Sequence, residues 1–198
     1  MKVDKTYVSF TGKINVGHYA CFIKLDDFGA DIKLDDLIQK IIHFNKVVIE
    51  GYEPFKQREE ISKLIKKAEK FNPNITFEFF TNGTIKPTGI SNLDNITFNV
   101  NLQLKNSGMQ YKDRIKSNTI NWFNEVDSNF IFFVKNSDDL DEVTLLVQEF
   151  GIKKSKVFLF IGEEVSKQKL KILIKFCKRT KYNFTLDYKK LFWEEEEK

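Results

Sequence analysis

The stretch Lys46-Val47-Val48-Ile49 ends in a short, unbroken apolar run that decides the fold class. Strands of a parallel sheet are covered on both faces and read as continuous apolar runs, whereas half-exposed strands alternate between apolar and polar residues. Amphipathic helical stripes lie on either side of this run, one from Leu34 to Ile42 and one from Ile61 to Phe71. A buried strand between two helices predicts an α/β protein with a mostly parallel sheet.

The same alternation continues outward to both ends of the chain. Residues 7–10 and 20–25 read as two strands joined through Gly12 and Gly17, which predicts an N-terminal hairpin within residues 1–25. Further strands are predicted at residues 75–79, 96–102, 130–134 and 157–161. Helices are predicted at residues 118–126, along the stripe of Leu140, Val143, Val147 and Phe150, and along that of Leu170, Leu173 and Cys177. No linker or repeat interrupts the pattern. We therefore expect one domain over residues 1–198, with a curled or doubly wound sheet and a C-terminal segment at residues 183–198.

The composition is that of an ordinary globular protein, with 41% hydrophobic and 30% charged residues. No apolar run approaches the ~20 residues that span a bilayer, and residues 1–10 lack the apolar core of a signal peptide. Two cysteines, Cys21 and Cys177, make no disulfide framework and are expected to pack as small apolar side chains. These features predict a cytoplasmic protein that does not bind membranes.

Several short motifs occur in a fixed order along nearly the whole chain. They are Ser9-Phe10-Thr11-Gly12 with Gly17 and residues 22–25, then residues 47–57, residues 79–84, Leu104-Lys105-Asn106-Ser107-Gly108, residues 138–143, and finally residues 176–177, 182–185 and 191–193. In this order they resemble the 7-carboxy-7-deazaguanine synthases, a family of radical S-adenosylmethionine enzymes. The second motif is similar to the family's Gly-Gly-Glu-Pro loop, and the third to its Glu-Thr-Asn-Gly-Thr turn.

The resemblance implies a fold, an activity and a set of cofactors. The fold would be an incomplete (β/α) barrel of the shortened radical S-adenosylmethionine type. The family's lyase activity converts a pterin into a 7-deazaguanine base on the route to nucleosides such as queuosine. It uses an iron–sulfur cluster, S-adenosylmethionine and magnesium, and its members act as homodimers.

The residues that such a cluster needs are missing. The cluster is held by three cysteine thiolates, which a chain with two distant cysteines cannot supply. The loop that would carry them reads Asp26-Asp27-Phe28-Gly29-Ala30-Asp31-Ile32-Lys33. Its acids lack the spacing of a calcium loop, so no metal site is predicted. We expect no iron–sulfur cluster and no other cofactor, and S-adenosylmethionine binding is disfavoured.

Other positions of the family's pockets have changed as well, and none is predicted to be catalytic. The resemblance assigns the remnant of the cofactor pocket to Gly51, Tyr52, Glu53, Thr81, Asn82, Gly83, Asn101 and Gln103. It assigns the remnant of the substrate pocket to Thr11, Gly12, Lys13 and Lys189. Tyr52 stands where the family has a second glycine, so its ring would occupy the space of the cofactor. The Thr81-Asn82-Gly83 turn also has a simpler explanation, because Asn-Gly pairs commonly form turns.

These losses favour a catalytically inactive pseudoenzyme that acts by binding protein. Its partner would be either an active paralogue, giving a heterodimer, or a second copy of the chain, giving a homodimer. Its role could be that of a subunit or that of a regulator. One alternative is a binding protein for a nucleoside, pterin or S-adenosylmethionine-like ligand. Another is nucleic-acid attachment through the Lys-rich helices at residues 57–70 and 166–181. The fourth hypothesis is an enzyme that catalyses a different reaction in the pocket where the family binds its cofactor and substrate. The sequence offers no nucleophile or acid–base pair for such a reaction.

Overall fold

After three N-terminal strands, helices connect most of the successive strands in the computed structural model, which describes residues 1–90, 93–161 and 166–188. The strands are β1 (Lys2–Phe10), β2 (Tyr19–Leu25), β3 (Ala30–Asp31), β4 (Lys46–Gly51), β5 (Thr76–Thr81), β6 (Ile96–Asn101), β7 (Ser128–Phe133), β8 (Val157–Phe160) and β9 (Asn183–Thr185). The helices are α1 (Leu34–Ile41), α2 (Arg58–Phe71), α3 (Tyr111–Arg114), α4 (Ser117–Glu125), α5 (Ser137–Glu149) and α6 (Lys167–Thr180). Short 3₁₀ turns occur at Pro54–Gln57, Lys105–Ser107 and Lys154–Lys156.

The nine strands of the described residues belong to one sheet, in the order β3-β1-β2-β4-β5-β6-β7-β8-β9. β1 is antiparallel to both β2 and β3, while the strands from β2 and β4 through β9 run parallel to one another. The parallel strands follow one another in sequence order without a reversal. A doubly wound sheet requires such a reversal, so that alternative is excluded and the mostly parallel α/β sheet is confirmed.

The sheet curls, because its first hairpin meets its last strand. The Thr185 hydroxyl donates to the Lys13 carbonyl, and the Tyr188 amide donates to the Gly12 carbonyl at 3.0 Å. Five strands separate β2 from β9, so a flat sheet with ~4.8 Å between strands would hold these groups more than about 25 Å apart. Within the described residues no strand pairing joins β9 to β1 or β3, so the curled sheet is open.

The main core lies on the helix-covered face of the sheet. Phe55, Phe79, Phe98 and Phe123 are buried there, with ring centroids 5.1–5.9 Å apart between neighbours. Helices bury their apolar stripes against this face, as α1 does with Leu37, Ile38 and Ile41. Burying side chains of this size stabilises the fold by roughly 1.5–3 kcal/mol each, so this layer supplies most of the apolar stabilisation.

The opposite, concave face carries a much smaller apolar cluster. Ala20, Phe22 and Val48 are buried there, with Tyr7 and Phe80 packed against them. The Tyr7 and Phe22 rings stack at 4.9 Å. Because the apolar cluster covers only part of the concave face, polar side chains occupy the centre of that face.

No helix in the described part of the chain is both long and apolar enough to cross a membrane.

Candidate cofactor cleft

A cleft of about 220 Å³ opens at the carboxyl ends of β2 and β4. Ligands of parallel α/β proteins characteristically bind at this edge of the sheet, where strands end and loops begin. The cleft is lined by Leu25, Asp26, Asp27, Phe28, Tyr52, Glu53, Lys56 and Gln57. It therefore brings the loop that lacks cysteines together with the Gly51-Tyr52-Glu53-Pro54 segment.

The Glu53 carboxylate is buried at the base of the cleft and is engaged by backbone and side-chain donors. Its Oε1 accepts from the Phe55 amide at 3.0 Å, and its Oε2 accepts from the Asn82 amide at 3.0 Å. The Thr81 hydroxyl lies 2.9 and 2.7 Å from the two oxygens. Burial raises the pKa of Glu53, and the bonds from Thr81, Phe55 and Asn82 oppose this rise. Glu53 thus ties the end of β4 to the turn after β5.

The close approach of the backbone to β2 requires a glycine at position 51. Its φ is +154°, and a Cβ built there would lie 2.4 Å from the Leu25 carbonyl oxygen. A side chain at this position would have to displace backbone. The glycine is therefore explained by strand packing, with no need for a bound cofactor.

Tyr52 and Phe28 stand at the rim of the cleft and do not fill it. Tyr52 is 73% exposed and Phe28 is 97% exposed. The Lys56 ammonium pairs with Asp27 and lies 5.7 Å from the centre of the Tyr52 ring. Two exposed aromatic side chains thus stand on the two loops, after β2 and after β4, that line the opening.

The Thr81-Asn82-Gly83 turn lies beside Glu53. The Asn82 side-chain oxygen accepts from the Thr84 amide at 3.0 Å, which closes a local turn. Gly83 has a φ of +75°, and a Cβ there would lie 2.7 Å from Val100. Local geometry and the bonds to Glu53 account for all three residues.

Asn101 ends the next strand, β6, at the same edge of the sheet, and Gln103 follows two residues later. Val100 is the register partner of Thr81, so Asn101 lies one residue beyond it. The Gln103 amide nitrogen approaches the Asn101 carbonyl at 3.4 Å, and the Gln103 carbonyl accepts from Arg114 at 2.9 Å. These two positions share an edge with the cleft but are absent from its lining.

The residues assigned to the substrate pocket form a separate group at the junction of the two sheet ends. Besides its bond from Thr185, Lys13 pairs with Asp187 at 3.6 Å and lies 5.3 Å from the centre of the Phe160 ring. The Thr11 hydroxyl donates to the Asn15 carbonyl and accepts from the His18 amide, which shapes the hairpin loop. Lys189, the fourth residue of this group, lies outside the described residues.

The cysteines do not fit a cluster that needs three thiolates. Cys21 lies on β2 and Cys177 on α6, both are buried, and burial raises both thiol pKa values, that of Cys177 to about 11. A thiol must lose its proton to bind iron, so these two are held in the wrong form. The loop at the expected cluster position is instead held by β3, which pairs with Lys2 and Val3 of β1. In the described part of the chain, no three His, Cys, Asp or Glu side chains are grouped to hold a metal ion.

Sequence reasoning missed a row of polar side chains across the concave face. Lys46 on β4 pairs with Glu78 on β5 at 2.9 Å, and Glu78 accepts from Asn99 on β6 at 2.6 Å. Asn129 on β7 donates to Asn99 at 3.0 Å. Glu78 and Asn99 are fully buried. Glu78 Oε2 accepts no aligned hydrogen bond, so the Lys46 ammonium is its charge partner. The available signal was a polar residue beside or within the apolar run of each of four consecutive strands, namely Lys46, Glu78, Asn99 and Asn129.

Comparison with known proteins supports the fold and no more. No family model matches this sequence, and no curated protein matches it significantly. The chain is similar to the solved structure of SuiB from Streptococcus suis, with a TM-score of 0.53 and 17% sequence identity. The match covers 81% of this chain but 44% of the SuiB chain, so this protein spans less than half the length of that structure. Together with the sheet topology, it defines an α/β protein with a mostly parallel, open sheet.

Proposed function

We propose that this chain is a catalytically inactive relative of the radical S-adenosylmethionine enzymes, of the 7-carboxy-7-deazaguanine synthase type, that acts by binding protein. Its open, curled sheet would then be an incomplete (β/α) barrel. The observation that carries the proposal is the Asp26–Lys33 connection. It contains no thiolate donor, pairs with the edge of β1 through β3, and lines a cleft at the edge where such enzymes bind their cofactors.

Anaerobic expression with iron and sulfide tests the loss of chemistry. The wild-type protein and a Cys21→Ala/Cys177→Ala variant are purified side by side, and iron content, absorbance and S-adenosylmethionine binding are measured. We expect both proteins to be colourless and free of iron, because buried thiols of raised pKa are poor ligands. About four irons per wild-type chain, lost in the double variant, would overturn the proposal.

The exposed rings at the rim of the cleft support protein binding. Large aromatic side chains are enriched among the residues that dominate binding energy at interfaces. Phe28 is held on a tight turn, where the Gly29 amide bonds the Asp26 carbonyl at 3.1 Å and the Phe28 amide bonds the Asp26 carboxylate at 2.8 Å. Because the turn fixes the backbone that carries this ring, less conformational entropy is lost when a partner covers the ring.

Interaction partners are tested by tagging the protein in its native source and comparing three forms. These are the wild type, a Phe28→Ala/Tyr52→Ala variant and a control Phe71→Ala variant, in which another exposed ring is removed. We expect one partner at constant stoichiometry with the wild type and the control, and at least a tenfold loss with the double variant. An active paralogue or a second copy of the chain would fit the proposal. An isolated monomer in every preparation would contradict it.

A small-molecule binding protein is the second candidate, favoured by the open cleft itself. Its volume of about 220 Å³ lies below the roughly 300–1,000 Å³ of sites for drug-sized ligands, which argues against a ligand as large as S-adenosylmethionine. Calorimetry with S-adenosylmethionine, a pterin and a deazaguanine tests this candidate. No measurable heat with any of the three would exclude these ligands.

A further inference from the structure

The last long helix concentrates positive charge. Residues 166–181 contain no acid and seven cations, namely Lys167, Lys169, Lys171, Lys175, Lys178, Arg179 and Lys181. The whole chain carries a net charge of +4, so the other residues together are net negative. One helix therefore creates a charge asymmetry that the composition alone does not reveal.

All seven cations are exposed, while the apolar stripe of α6 faces the core through Leu173, Phe176 and Cys177. The seven salt bridges found among the described residues include none of them. The other Lys-rich helix, α2, differs, because acids alternate with its cations and its Lys67 pairs with Asp35 of α1. Among the described residues the surface of α6 is thus a basic face without salt bridges, whereas α2 has an ordinary mixed surface.

Four of these lysines follow one stripe of the helix. Lys167, Lys171, Lys175 and Lys178 are spaced by four, four and three residues, so they project from the same side. With a rise of 1.5 Å per residue, neighbours are about 4.5–6 Å apart along the axis. Phosphates of one strand of B-DNA recur about every 3.4 Å along the duplex axis, so the axial spacings of the lysines and of the phosphates are of the same order.

Two more exposed lysines extend this face. Lys153 and Lys154 precede β8, and the connection that contains them is tied to β9 by the Asn183 side chain, which donates to the Ser155 carbonyl at 2.8 Å. Since β9 directly follows α6, these lysines lie next to the C-terminal end of the basic helix. The cationic surface is therefore longer than the helix itself.

We propose that the exposed face of α6 (its basic face) binds the phosphate backbone of nucleic acid without reading sequence. Lysines act as point charges toward phosphates, and the exposed positions of α6 include no aromatic ring to stack on a base. A membrane-surface helix would present a broad apolar face outward, but α6 directs its apolar stripe into the core and leaves Ile172 as its one well-exposed apolar residue. This inference is independent of the proposed protein partner.

Fluorescence anisotropy with labelled 20-base-pair duplexes of RNA and of DNA tests the basic face. The test variant is Lys167→Gln/Lys171→Gln/Lys175→Gln/Lys178→Gln, which retains helix-forming side chains. The control is Lys63→Gln/Lys66→Gln/Lys70→Gln/Lys112→Gln, which removes the same charge from exposed positions elsewhere. We expect the test variant to bind at least tenfold more weakly than the wild type, and the control to change affinity by no more than about threefold.

Salt dependence checks the mechanism. Four phosphate contacts predict a slope near −3.6 in the logarithm of the DNA association constant against the logarithm of salt concentration, or about a hundredfold loss between 50 and 200 mM salt. The test variant should show a clearly shallower slope, because Lys153, Lys154, Lys169, Arg179 and Lys181 remain to sustain weak residual binding. If the fourfold variant does not fold by circular dichroism, the pairs Lys167/Lys171 and Lys175/Lys178 are replaced separately, and each should make the slope shallower by about half as much.

Three outcomes would overturn the proposal. The first is no duplex binding at low salt, and the second is equal loss in the test and control variants. The third is preferential binding to one of two competing anions, polyglutamate or vesicles rich in phosphatidylserine. Tighter binding to RNA than to DNA, or the reverse, would show which nucleic acid the protein prefers. Either preference agrees with the proposal that the basic face binds it.

Discussion

Glu53 shows how a residue assigned to a cofactor can be retained for structural reasons. Its carboxylate accepts from two backbone amides and a hydroxyl, all within 3.0 Å. Glu53→Gln should lower the free energy of unfolding by about 1–2 kcal/mol at neutral pH, because an amide NH₂ would replace one of the accepting oxygens. Urea denaturation measures this, with Glu59→Gln on the exposed side of α2 as a control that should change little.

The pH dependence of this difference follows from the sign of the pKa shift. Burial raises the folded-state pKa of Glu53 above its ordinary value near 4.5, so the folded state holds the proton more tightly than the unfolded state. This contribution to stability is complete below pH 4.5 and is lost as the pH rises through the folded-state pKa. The difference between wild type and Glu53→Gln should therefore widen on acidification. A difference that narrows between pH 7 and pH 4 would contradict the shift.

Gly51 and Gly108 allow a matched test of close packing. Both have a positive φ, but a Cβ at Gly51 would collide with the Leu25 carbonyl, whereas one at Gly108 has open space around it. Gly108→Ala should cost about 1 kcal/mol for backbone strain alone. Gly51→Ala should cost at least about 2 kcal/mol more, measured by urea denaturation. Equal costs would show that β2 and β4 can separate freely at this end.

At the scale of elements, the sequence predicted the buried strands and long helices well. The run at residues 46–49 became β4, residues 20–25 lie in β2, and the stripe carrying Leu140 and Val143 became α5. These elements follow from local periodicity, which the chain itself encodes. β3 was not predicted, because two residues carry no pattern and pair with β1 only once the sheet has formed. The cleft was predicted in outline, since Tyr52 and Glu53 do line it, but the separation of Thr11, Gly12 and Lys13 from it depends on the curl of the sheet.

The polar row across β4, β5, β6 and β7 links neighbouring elements through a buried charge. Lys46→Met would leave the Glu78 carboxylate without its cation and should cost about 3 kcal/mol or more. Lys46→Met/Glu78→Gln removes the stranded charge and keeps an acceptor for Asn99, so it should recover most of that loss. The exposed pair Lys24–Asp4 is the control, and Lys24→Met should cost less than about 1 kcal/mol. A double variant as unstable as the single one would show that packing around Lys46, rather than its charge, matters.

On the scale of the whole molecule, the curl of the sheet depends on a few contacts between residues distant in sequence. Thr185 reaches Lys13 across 172 positions of the chain, and Tyr188 and Asp187 contact the same hairpin loop. Closing so long a loop costs entropy, so we expect these contacts to form after the strands between them have paired. The two ends of the sheet should consequently open together before the remainder of the molecule unfolds.

Thr185→Val tests this coupling, because it removes the buried hydroxyl while leaving the side chain close to its original shape. Amide hydrogen exchange should speed up both in β9 and in residues 11–18, although the two segments lie at opposite ends of the sequence. Thr180→Val is the matched control, since the Thr180 hydroxyl donates to the Phe176 carbonyl within α6 at 2.9 Å. Its effect should stay in the last turn of that helix. Faster exchange in β9 alone would mean that the hairpin holds its place without the last strand, and that the curl is set by the strands between them.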